Sequence, residues 1–517
     1  MAVYSQPGDY KTTKAYEPGP VMSEEDLKKL GEEKKDSPYD SEEYLRRLRK
    51  VEQWWNESAQ IQADSRQERL VDHEYYDHNP WTPEEKQELE DRGQEAVQFN
   101  MIAPAVDWLL GTERRTRMEY FILPRNRADS QDAQTKHKLF KYVTDINKYP
   151  RERSRAFEDT VISGLGWLEV ATKSDMTEDS IYIGYEDWRN VWYDSLSRSP
   201  DYKDGRFIFR GKWVDLDVAM TMFPDRAHLL KAKAFSGEAY QEDIAIPEEA
   251  ATGEVDLEEE IRSDVEDYSR ARVRLMECWY KSPARVQVLR GTGLGTLEGE
   301  IYDAEDEGMQ ELVEGGHATI VDAVKMEVRC MIFSGGIILQ DMRSPYRHNR
   351  FPFVPVWGKR RKKDNSPYGA VRGQRSPQSD MNKRRSKALF ILSSNRIVAD
   401  DDAVEDWDAF KEEADKPDGL LLKKRDREVE LHTDTTLAES HVRLMDQDAA
   451  YIQESSGVTN ENMGRDTNAE SGKAVIAKQQ GGELTNIKYF DRLADADQLV
   501  GEMVLSLIEQ FYDAPKQ

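Results

Sequence analysis

The sequence predicts an α+β protein, because strand-like and helix-like segments occupy different parts of the chain. From about residue 167 to 212, and again at 271–281 and 319–340, aromatic and β-branched residues alternate with polar ones between Gly and Pro residues, a pattern typical of strands. Apolar residues recur at helical spacing before this region, as far as residue 163, and again after residue 377. We therefore expect a mixed αβ body followed by long helices.

The N-terminal part is expected to begin with a flexible arm. Residues 1–40 are polar, with scattered Gly, Pro and charge, as in flexible chain ends. The helix that follows carries the aromatic pair Trp54–Trp55, which we expect to dock it onto a larger body. In PWTPEEKQELE, Thr82 is predicted to cap a helix, Pro83 to take its first position and Glu85 to complete a capping box.

The C-terminal part is predicted to contain a helix, a small αβ insert, a second helix, a polar loop and a final helix from Ala474 to Tyr512. Gly481–Gly482 predicts a kink or break in this last helix. FPFVPVWG, at 351–358, is too rich in proline for a central strand. The predicted units are an arm at 1–40, a body at 41–376, a helix at 377–395, an insert at 396–436, a helix with its following turn at 437–464, and a loop and helix at 465–517.

The composition favours a soluble protein made in the cytoplasm. A formal net charge of -27 favours solubility and opposes non-specific binding to nucleic acid, because phosphates attract positive surface. No uncharged apolar run approaches the roughly 20 residues of a membrane helix, so no membrane partner is expected. Two cysteines, Cys278 and Cys330, are too few for a disulfide framework and fit a reducing compartment as small core residues.

Motifs for catalysis and for cofactor binding are missing from the sequence. Where a phosphate loop ending in Ser471-Gly472-Lys473 needs its first glycine, the chain has Thr467. His73 and His78, in HEYYDH, are two metal-binding side chain types close together, but a polar turn before Asn79-Pro80 is the favoured interpretation. We expect no enzyme, no cofactor and no metal, which argues against a packaging ATPase or a nuclease.

Positive charge concentrates in DMNKRRSKALF, residues 380–390, and in KRRKK just upstream at 359–363. On a helix, Lys383, Arg384 and Lys387 share one face, away from the apolar residues that follow. One interpretation is a solvated face of an amphipathic helix, and the other is a face turned towards phosphates. The run by itself does not decide between them.

Several segments, in a shared order, resemble the portal proteins of tailed bacteriophages, particularly the short-tailed (podovirus) group. The resemblance covers roughly residues 80–517, and the order of the segments is more specific than any one of them. The segments are FNMIAPAVDWLLGTERRTRMEYFILPR (99–125), GWLEV (166–170), YEDWRNVWYDSLSRSPDYKDGRFIFRGKWVDLD (185–217), SPYG (366–369), NKRRSKALF (382–390) and NAESGKAVIAKQQGG (468–482).

The resemblance implies a portal architecture of a mixed αβ wing, two long stem helices, a small αβ clip between them and a helical crown. Such subunits form rings of twelve around a channel for double-stranded DNA at a capsid vertex. The implied partners are other copies of the chain, duplex DNA, the terminase large subunit, the major capsid or scaffold protein, and a tail adaptor. Assembly in the host cytoplasm and a final location in the virion are expected.

The resemblance also assigns candidate residues to three regions. The stem band would face DNA in the channel, the capsid shell or a neighbouring subunit, and these alternatives stay open. The clip residues would contact partners or, for the two aromatic ones, form the insert's own small core. The candidates are Lys383, Arg384, Arg385 and Lys387 in the stem band; Asn468, Glu470, Ser471, Lys473 and Lys478 near the tunnel constriction; and Trp407, Phe410, Lys423, Lys424 and Arg425 in the clip.

Two features limit what the resemblance implies. Members of the group often continue past the crown helix into a C-terminal barrel, and the sequence departs from that pattern by ending at Gln517. A non-catalytic virion structural or scaffold protein, without a DNA channel, would share the acidic and soluble composition. Such a protein would not need the helix–insert–helix stem.

Overall fold

The computed structural model contains helices and strands throughout the residues that it describes. These are 37–117, 120–124, 129–173, 180–236, 272–291, 299, 302, 304, 307–393, 396–400, 403–414, 420–424, 428–432, 435–458, 462 and 472–512. The predicted arm at 1–40 therefore lies almost wholly outside the described residues. Within the described ranges, every helix is too short or too polar to cross a bilayer.

Twelve α-helices lie in the described part of the chain. They are α1 (Glu42–Tyr76), α2 (Pro83–Asp91), α3 (Ile102–Arg115), α4 (Ser130–Ile146), α5 (Tyr149–Ile162), α6 (Leu216–Met222), α7 (Ala227–Ser236), α8 (Glu307–Glu314), α9 (Arg375–Ser393), α10 (Trp407–Ala414), α11 (Thr435–Ser456) and α12 (Gly472–Phe511). The long helix α9 follows all but two of the strands, and α11 and α12 follow all of them, as the sequence predicts.

The strands form separate antiparallel sheets. A five-stranded sheet has the order β3-β4-β5-β6-β7, a three-stranded sheet has the order β2-β1-β8, and two-stranded pairs are formed by β9 with β10 and by β11 with β12. The strands are β1 (Leu165–Thr172), β2 (Ile181–Glu186), β3 (Val191–Tyr193), β4 (Phe207–Asp215), β5 (Arg272–Arg290), β6 (Thr319–Ser334), β7 (Ile337–Arg343), β8 (Phe353–Trp357), β9 (Lys359–Arg360), β10 (Pro367–Tyr368), β11 (Arg396–Ala399) and β12 (Val429–His432). The coarse α+β class is thus confirmed.

The N-terminal half of α1 covers one face of the five-stranded sheet. The Trp54 ring stacks on Phe207 with centroids 5.4 Å apart, and Trp55 meets Trp192 edge-on at 4.5 Å. The prediction that this aromatic pair docks the helix onto a larger body is confirmed. Cys278, on β5, lies in the same cluster and is a free, buried thiol.

The main apolar core lies between the three-stranded sheet, helices α4 and α5, and the C-terminal half of α12. Its central strand β1 needs glycine at its start, because the backbone of β10 passes very close. Gly164 has φ +93°, and a Cβ added there would lie 2.3 Å from the carbonyl carbon of Tyr368. This contact fixes the segment leading into α9 against the body.

Local predictions had different outcomes. The capping box of α2 is confirmed, since Thr82 Oγ1 accepts the Glu85 N–H at 3.2 Å and the Glu85 carboxylate accepts the Thr82 N–H at 3.3 Å. Strand β8 is an edge strand, as its prolines predict. Of the predicted kink or break at Gly481–Gly482, the break is wrong, because α12 runs for 40 residues through both glycines. A helical glycine costs only about 1 kcal/mol relative to Ala, which the packing of a long helix offsets.

Candidate nucleic-acid interface

Helices α9 and α11 form a hairpin in which the two helices pack against each other, and the insert between them holds β11, α10 and β12. The first helix spans Arg375–Ser393, against the predicted 377–395, and the second spans Thr435–Ser456. We call these two helices the stem helices. Their order and their insert follow the pattern that the sequence predicts.

A row of buried polar side chains on α9 holds the chain that leads into α3. Gln378 accepts the N–H of Met101 at 2.9 Å and donates to the carbonyl of Phe99 at 2.6 Å. Asn382 accepts the N–H of Phe99 at 3.1 Å, and one turn later Ser386 accepts the N–H of Val97 at 3.1 Å. These contacts satisfy the backbone of an irregular segment and attach the stem to the body.

Two of the four basic residues in the predicted band are paired inside the subunit. Lys383 Nζ lies 2.7 Å from the Glu85 carboxylate, a hydrogen bond that raises the pKa of this lysine. Arg384 Nε lies 2.6 Å from the Asp380 carboxylate and 3.9 Å from that of Asp448 on α11. The same Glu85 completes the capping box of α2, so Lys383 connects the stem to that helix.

The other two basic residues have no carboxylate partner among the described residues. Arg385 lies over the Phe99 ring at 5.4 Å, and its buried Nε has no hydrogen-bond partner in that part of the chain. Lys387 is exposed. The charge of Lys387, after the larger effect of partial burial, lowers the pKa of His441 on α11. Free positive charge in the band is therefore concentrated at the end of α9 nearer the insert.

A carboxyl pair lies where the stem helices meet. Partial burial, and then the nearby carboxylate of Asp380, raise the pKa of Asp448. Arg384, which contacts both groups, opposes this effect. The contact between the two helices thus holds more negative charge than a single arginine neutralises.

The stem helices also expose large apolar side chains. Leu437, Leu444 and Tyr451 recur every seven residues along α11 and expose 45%, 39% and 56% of their surface. On α9, Leu389 and Leu392 expose 38% and 54%. A seven-residue apolar repeat on a helix is the spacing at which another helix packs. We call Leu437, Leu444 and Tyr451 the α11 stripe.

The insert has its own small core. Phe410 is buried, Trp407 meets it edge-on at 6.0 Å, and both pack with Ala403 and Val404. The two aromatic residues therefore lie where the alternative interpretation expects them. Exposed side chains in the insert include Lys423, Lys424, Leu420 and Leu422. Arg425 lies outside the described residues.

The predicted tunnel residues lie at the start of α12 or before it. Lys473 and Lys478 are in the first turns of this helix, and their side chains are not among those described. Asn468, Glu470 and Ser471 lie outside the described residues. Further along α12, the residues from Tyr489 to Ile508 contribute to the main core of the body.

A buried ionic network ties α12 to that body. Asp497 accepts hydrogen bonds from Tyr120 at 2.6 Å, from Tyr149, and from Arg153 Nε at 2.8 Å and 3.0 Å. Arg153 also pairs with Glu113 of α3. The network thus joins three helices and the chain after α3, and each of its charges has a partner.

Residues 52–517 match the model of the phage P22-like portal protein family. The chain belongs to this family. No curated protein matches the sequence. Proteins of this family are structural, non-catalytic components of the virion, located at a capsid vertex and associated as homo-oligomeric rings with capsid and DNA. The portal and phage assignments suggested by the sequence are therefore confirmed.

The described residues include both histidines of HEYYDH, His73 and His78. Among all the described residues, no three His, Cys, Asp or Glu residues gather in a way that would hold a metal ion. His73 lies near the end of α1, where its Nε2 accepts the Trp188 indole N–H at 3.3 Å. Burial lowers its pKa to about 4, so the ring is neutral and part of the packing.

Sequence reasoning missed the polar row on α9 that holds the segment before α3. Its signal was present, because Gln378, Asn382 and Ser386 recur every four residues and so share one helix face. From the sequence of the helix alone, such a polar face would be assigned to the solvent-exposed side. Only the position of residues 97–101, nearly 300 residues earlier in the chain, shows that it is buried.

Proposed function

We propose that the chain forms a ring of twelve subunits around a channel through which double-stranded DNA passes during genome packaging and ejection. The α11 stripe is the observation that carries the proposal. Its three large apolar side chains are 39–56% exposed on a helix that also packs against α9. A copy-to-copy contact that buries this stripe would be heterologous, and such contacts close into rings when the rotation allows.

Charge supports a channel that lets DNA slide. Each phosphate neutralised by a lysine or arginine adds affinity, and a ring multiplies every such contact. A chain with net charge -27 offers mostly repulsive surface, and internal pairing removes part of the charge of Lys383 and Arg384. What remains near Arg385 and Lys387 would be a weak, sequence-independent attraction, which suits a moving duplex.

Ion pairs inside the subunit leave two residues of the stem band for the three predicted roles. Lys383 and Arg384 support the subunit's internal packing, whereas Lys387 and Arg385 remain for DNA, the capsid shell or a neighbouring stem. We assign Lys387 to the channel, because it is exposed and has no carboxylate partner among the described residues. Contact with the major capsid or scaffold protein is the competing assignment.

The insert is proposed as the clip, which docks the terminase large subunit and later the tail adaptor. Its exposed Lys423 and Lys424 lie beside Leu420 and Leu422, each 74% exposed. Apolar groups within a charged rim are typical of docking patches. Leu421, between the two exposed leucines, packs on the small core that holds the aromatic pair. We expect assembly in the host cytoplasm and a final place at the portal vertex.

Negative-stain imaging of the purified protein tests the proposal directly. We expect rings with a central hole, and light scattering should show a species about twelve times the mass of the 59.8 kDa chain. Only monomer at every concentration and salt would contradict it. Closed particles without a hole would instead favour a structural or scaffold protein that lacks a channel.

A charge-reversal variant separates the roles of the band. Lys387→Glu with Arg385→Glu should leave rings intact and weaken salt-sensitive retention of duplex DNA, because surface charges are screened within about 8 Å at physiological ionic strength. Lys383→Glu alone, the matched control, should lower stability through loss of the Glu85 contact. Loss of procapsid incorporation, with DNA retention unchanged, would move the band to the capsid side.

A second variant tests the clip. Lys423→Glu, Lys424→Glu and Arg425→Glu together should leave rings intact and abolish binding of the terminase large subunit. Exposed charges that contact only solvent would leave this binding unchanged. Rings that fail to assemble but whose subunits still bind terminase would show that the insert serves assembly rather than docking.

A further inference from the structure

The KRRKK run at 359–363 forms strand β9 and the exposed turn that leads to β10. Lys359 lies 5.6 Å above the ring of Tyr489 on α12, so the β9–β10 hairpin rests against that helix. Arg361, Lys362 and Lys363 are exposed at the turn. Lys488 is exposed on α12, and Arg492 is half-buried one turn later. Two distant parts of the chain thus bring their positive charge to one place.

Arg360 is held rigidly in this cluster and forms no ion pair with a carboxylate of the described residues, although the charge of Asp204 opposes the lowering of its pKa. Its guanidinium lies 3.3 Å from the centre of the Trp357 ring and donates to the carbonyl of Arg198 at 3.1 Å. Its buried Nε has no hydrogen-bond partner among the described residues. Arg198 is itself exposed, so a third chain segment adds its charge. We call Arg198, Lys359–Lys363, Lys488 and Arg492 the β9–α12 basic surface.

Acidic side chains compensate only part of this charge. Arg361 lies 3.5 Å from Asp364, and Arg492 lies 3.3 Å from Asp495. The other six members have no carboxylate partner within the described part of the chain. Burial lowers the pKa of Arg360 to about 10, and the positive charge of Arg492 adds to this effect. Lys359 shows the same pattern, with burial and then Lys488 lowering its pKa.

Carboxylates pair with a smaller share of the basic residues on the β9–α12 basic surface than in the stem band. There, half of the basic residues face carboxylates of the same subunit, at Glu85 and Asp380. Basic groups that lie close together with few carboxylates between them repel one another, and this repulsion raises the free energy of the isolated subunit. A polyanion that binds this surface would remove that cost.

We propose that the β9–α12 basic surface binds the phosphate backbone of double-stranded DNA, at a site separate from the stem band. Lys362 and Lys363 at the turn, with Lys488 on the helix, are free to reach phosphates on a rigid support. No base reading is expected from these contacts, because contacts to phosphate oxygens carry no sequence information. The inference rests on the proposed contact with DNA, but it assigns that contact to a surface of the body.

A second polyanion exists in the chain itself. Residues 254–267, EVDLEEEIRSDVED, are strongly acidic and lie outside the described residues. Duplex DNA is the occupant we favour, because the family to which the chain belongs associates with DNA. If the test excludes DNA, the acidic segment becomes the expected occupant of this surface.

The test compares two double variants with the same change of charge. Lys362→Glu with Lys363→Glu removes the turn lysines, and Lys138→Glu with Lys231→Glu changes two exposed lysines elsewhere on the body. Binding of a blunt-ended duplex is measured by anisotropy between about 50 and 200 mM salt. We expect the turn variant to bind at least about tenfold more weakly, with a salt slope smaller by about 1 for each lysine lost from a phosphate. The control should bind as wild type.

Lys488→Glu is the independent arm of the experiment, because it alters the surface from another helix. It should weaken duplex binding in the same direction as the turn variant, with rings still visible by negative stain. Equal binding by the turn variant and the control would overturn the proposal. So would a turn variant that keeps its duplex affinity but no longer binds a synthetic peptide of residues 254–267. Failure of wild type to form rings would instead contradict the proposed function.

Discussion

In the body, Phe157, Trp167 and Val504 are completely buried, whereas Leu437, Leu444 and Tyr451 on the stem expose between 39% and 56% of their surface. The body brings sheets and helices together from several parts of the chain, so most of its apolar side chains meet others, although a few, such as Leu123 and Val324, remain exposed. The stem has only two long helices, and each can cover just one side of the other. We therefore expect the body to be stable alone and the stem to need a neighbouring subunit.

The two regions also differ in how they treat charge. The buried carboxylate of Asp497 is satisfied by two tyrosines and an arginine. In the stem, Asp380 and Asp448 share Arg384 and remain partly exposed. Buried charge must be fully paired to be tolerated, whereas charge at the edge of a helix pair is solvated by water. We therefore expect the ionic network to stabilise the body, and the contact between the two stem helices to respond to changes in pH and salt.

The largest expected effect is the loss of rings when the α11 stripe is made polar. Leu444→Ser with Tyr451→Ser should prevent ring assembly, because it removes the apolar surface that a neighbour would cover. The free energy of unfolding of the monomer should change by no more than about 1 kcal/mol for the two substitutions together, about 0.5 kcal/mol at each exposed position. Light scattering and chemical denaturation measure the two quantities.

The control for this variant lies on the same helix. Gln447→Ser with Ala450→Ser changes two exposed residues outside the stripe and should assemble normally. Rings formed equally well by both variants would show that the stripe is solvated in the assembly. The exposed apolar side chains of the stem would then not be evidence for a contact between subunits.

Next in size is the cost of breaking the buried network of the body. Asp497→Ala leaves Arg153 and two tyrosine hydroxyls without their shared acceptor, and removal of one partner of a buried ion pair costs about 3–5 kcal/mol. Urea denaturation followed by tryptophan fluorescence measures the loss. Asp495→Ala, at an exposed position two residues away, should change stability little. Equal effects of the two substitutions would contradict the assignment.

Acid should destabilise the body through His73. Burial lowers the pKa of this imidazole to about 4, against an ordinary value of 6.5, so below pH 6.5 the unfolded chain binds the proton more readily. Stability is therefore lost as the pH falls from about 6.5 to 4, by roughly 3 kcal/mol in total. His73→Gln should flatten the unfolding profile over this range, and an unchanged profile would exclude this residue as the cause.

The smallest effect, of opposite sign, is expected in the stem. Because the pKa of Asp448 is raised, its contribution to helix pairing is fully present below the ordinary carboxylate value and is lost as the pH rises through the raised one. At neutral pH, Asp448→Asn should therefore stabilise α11, by less than about 1 kcal/mol at this partly exposed site. Amide exchange along α11 measures the change. Faster exchange in the variant would show that attraction to Arg384 dominates.

Much of the local structure could be predicted because its causes are local. The capping box at Thr82 and Glu85 depends on residues three apart, and strands β1 to β4 follow from alternating side chains. The order of helix, insert and helix near the C-terminus has the same kind of cause. The family assignment followed from the order of such segments, and the match over 52–517 agrees with it.

The sequence by itself determined the α+β class, the order of the elements and the absence of the motifs that catalysis requires. Only the tertiary structure decided which charges are free. Lys383 meets Glu85 and Arg384 approaches Asp448, while Lys359 and Arg360 lie beside Lys488 and Arg492. The physical reason is distance along the chain. Partners separated by about 60 to 300 residues are brought together by packing of the core, and no local pattern of residues encodes which of them will meet.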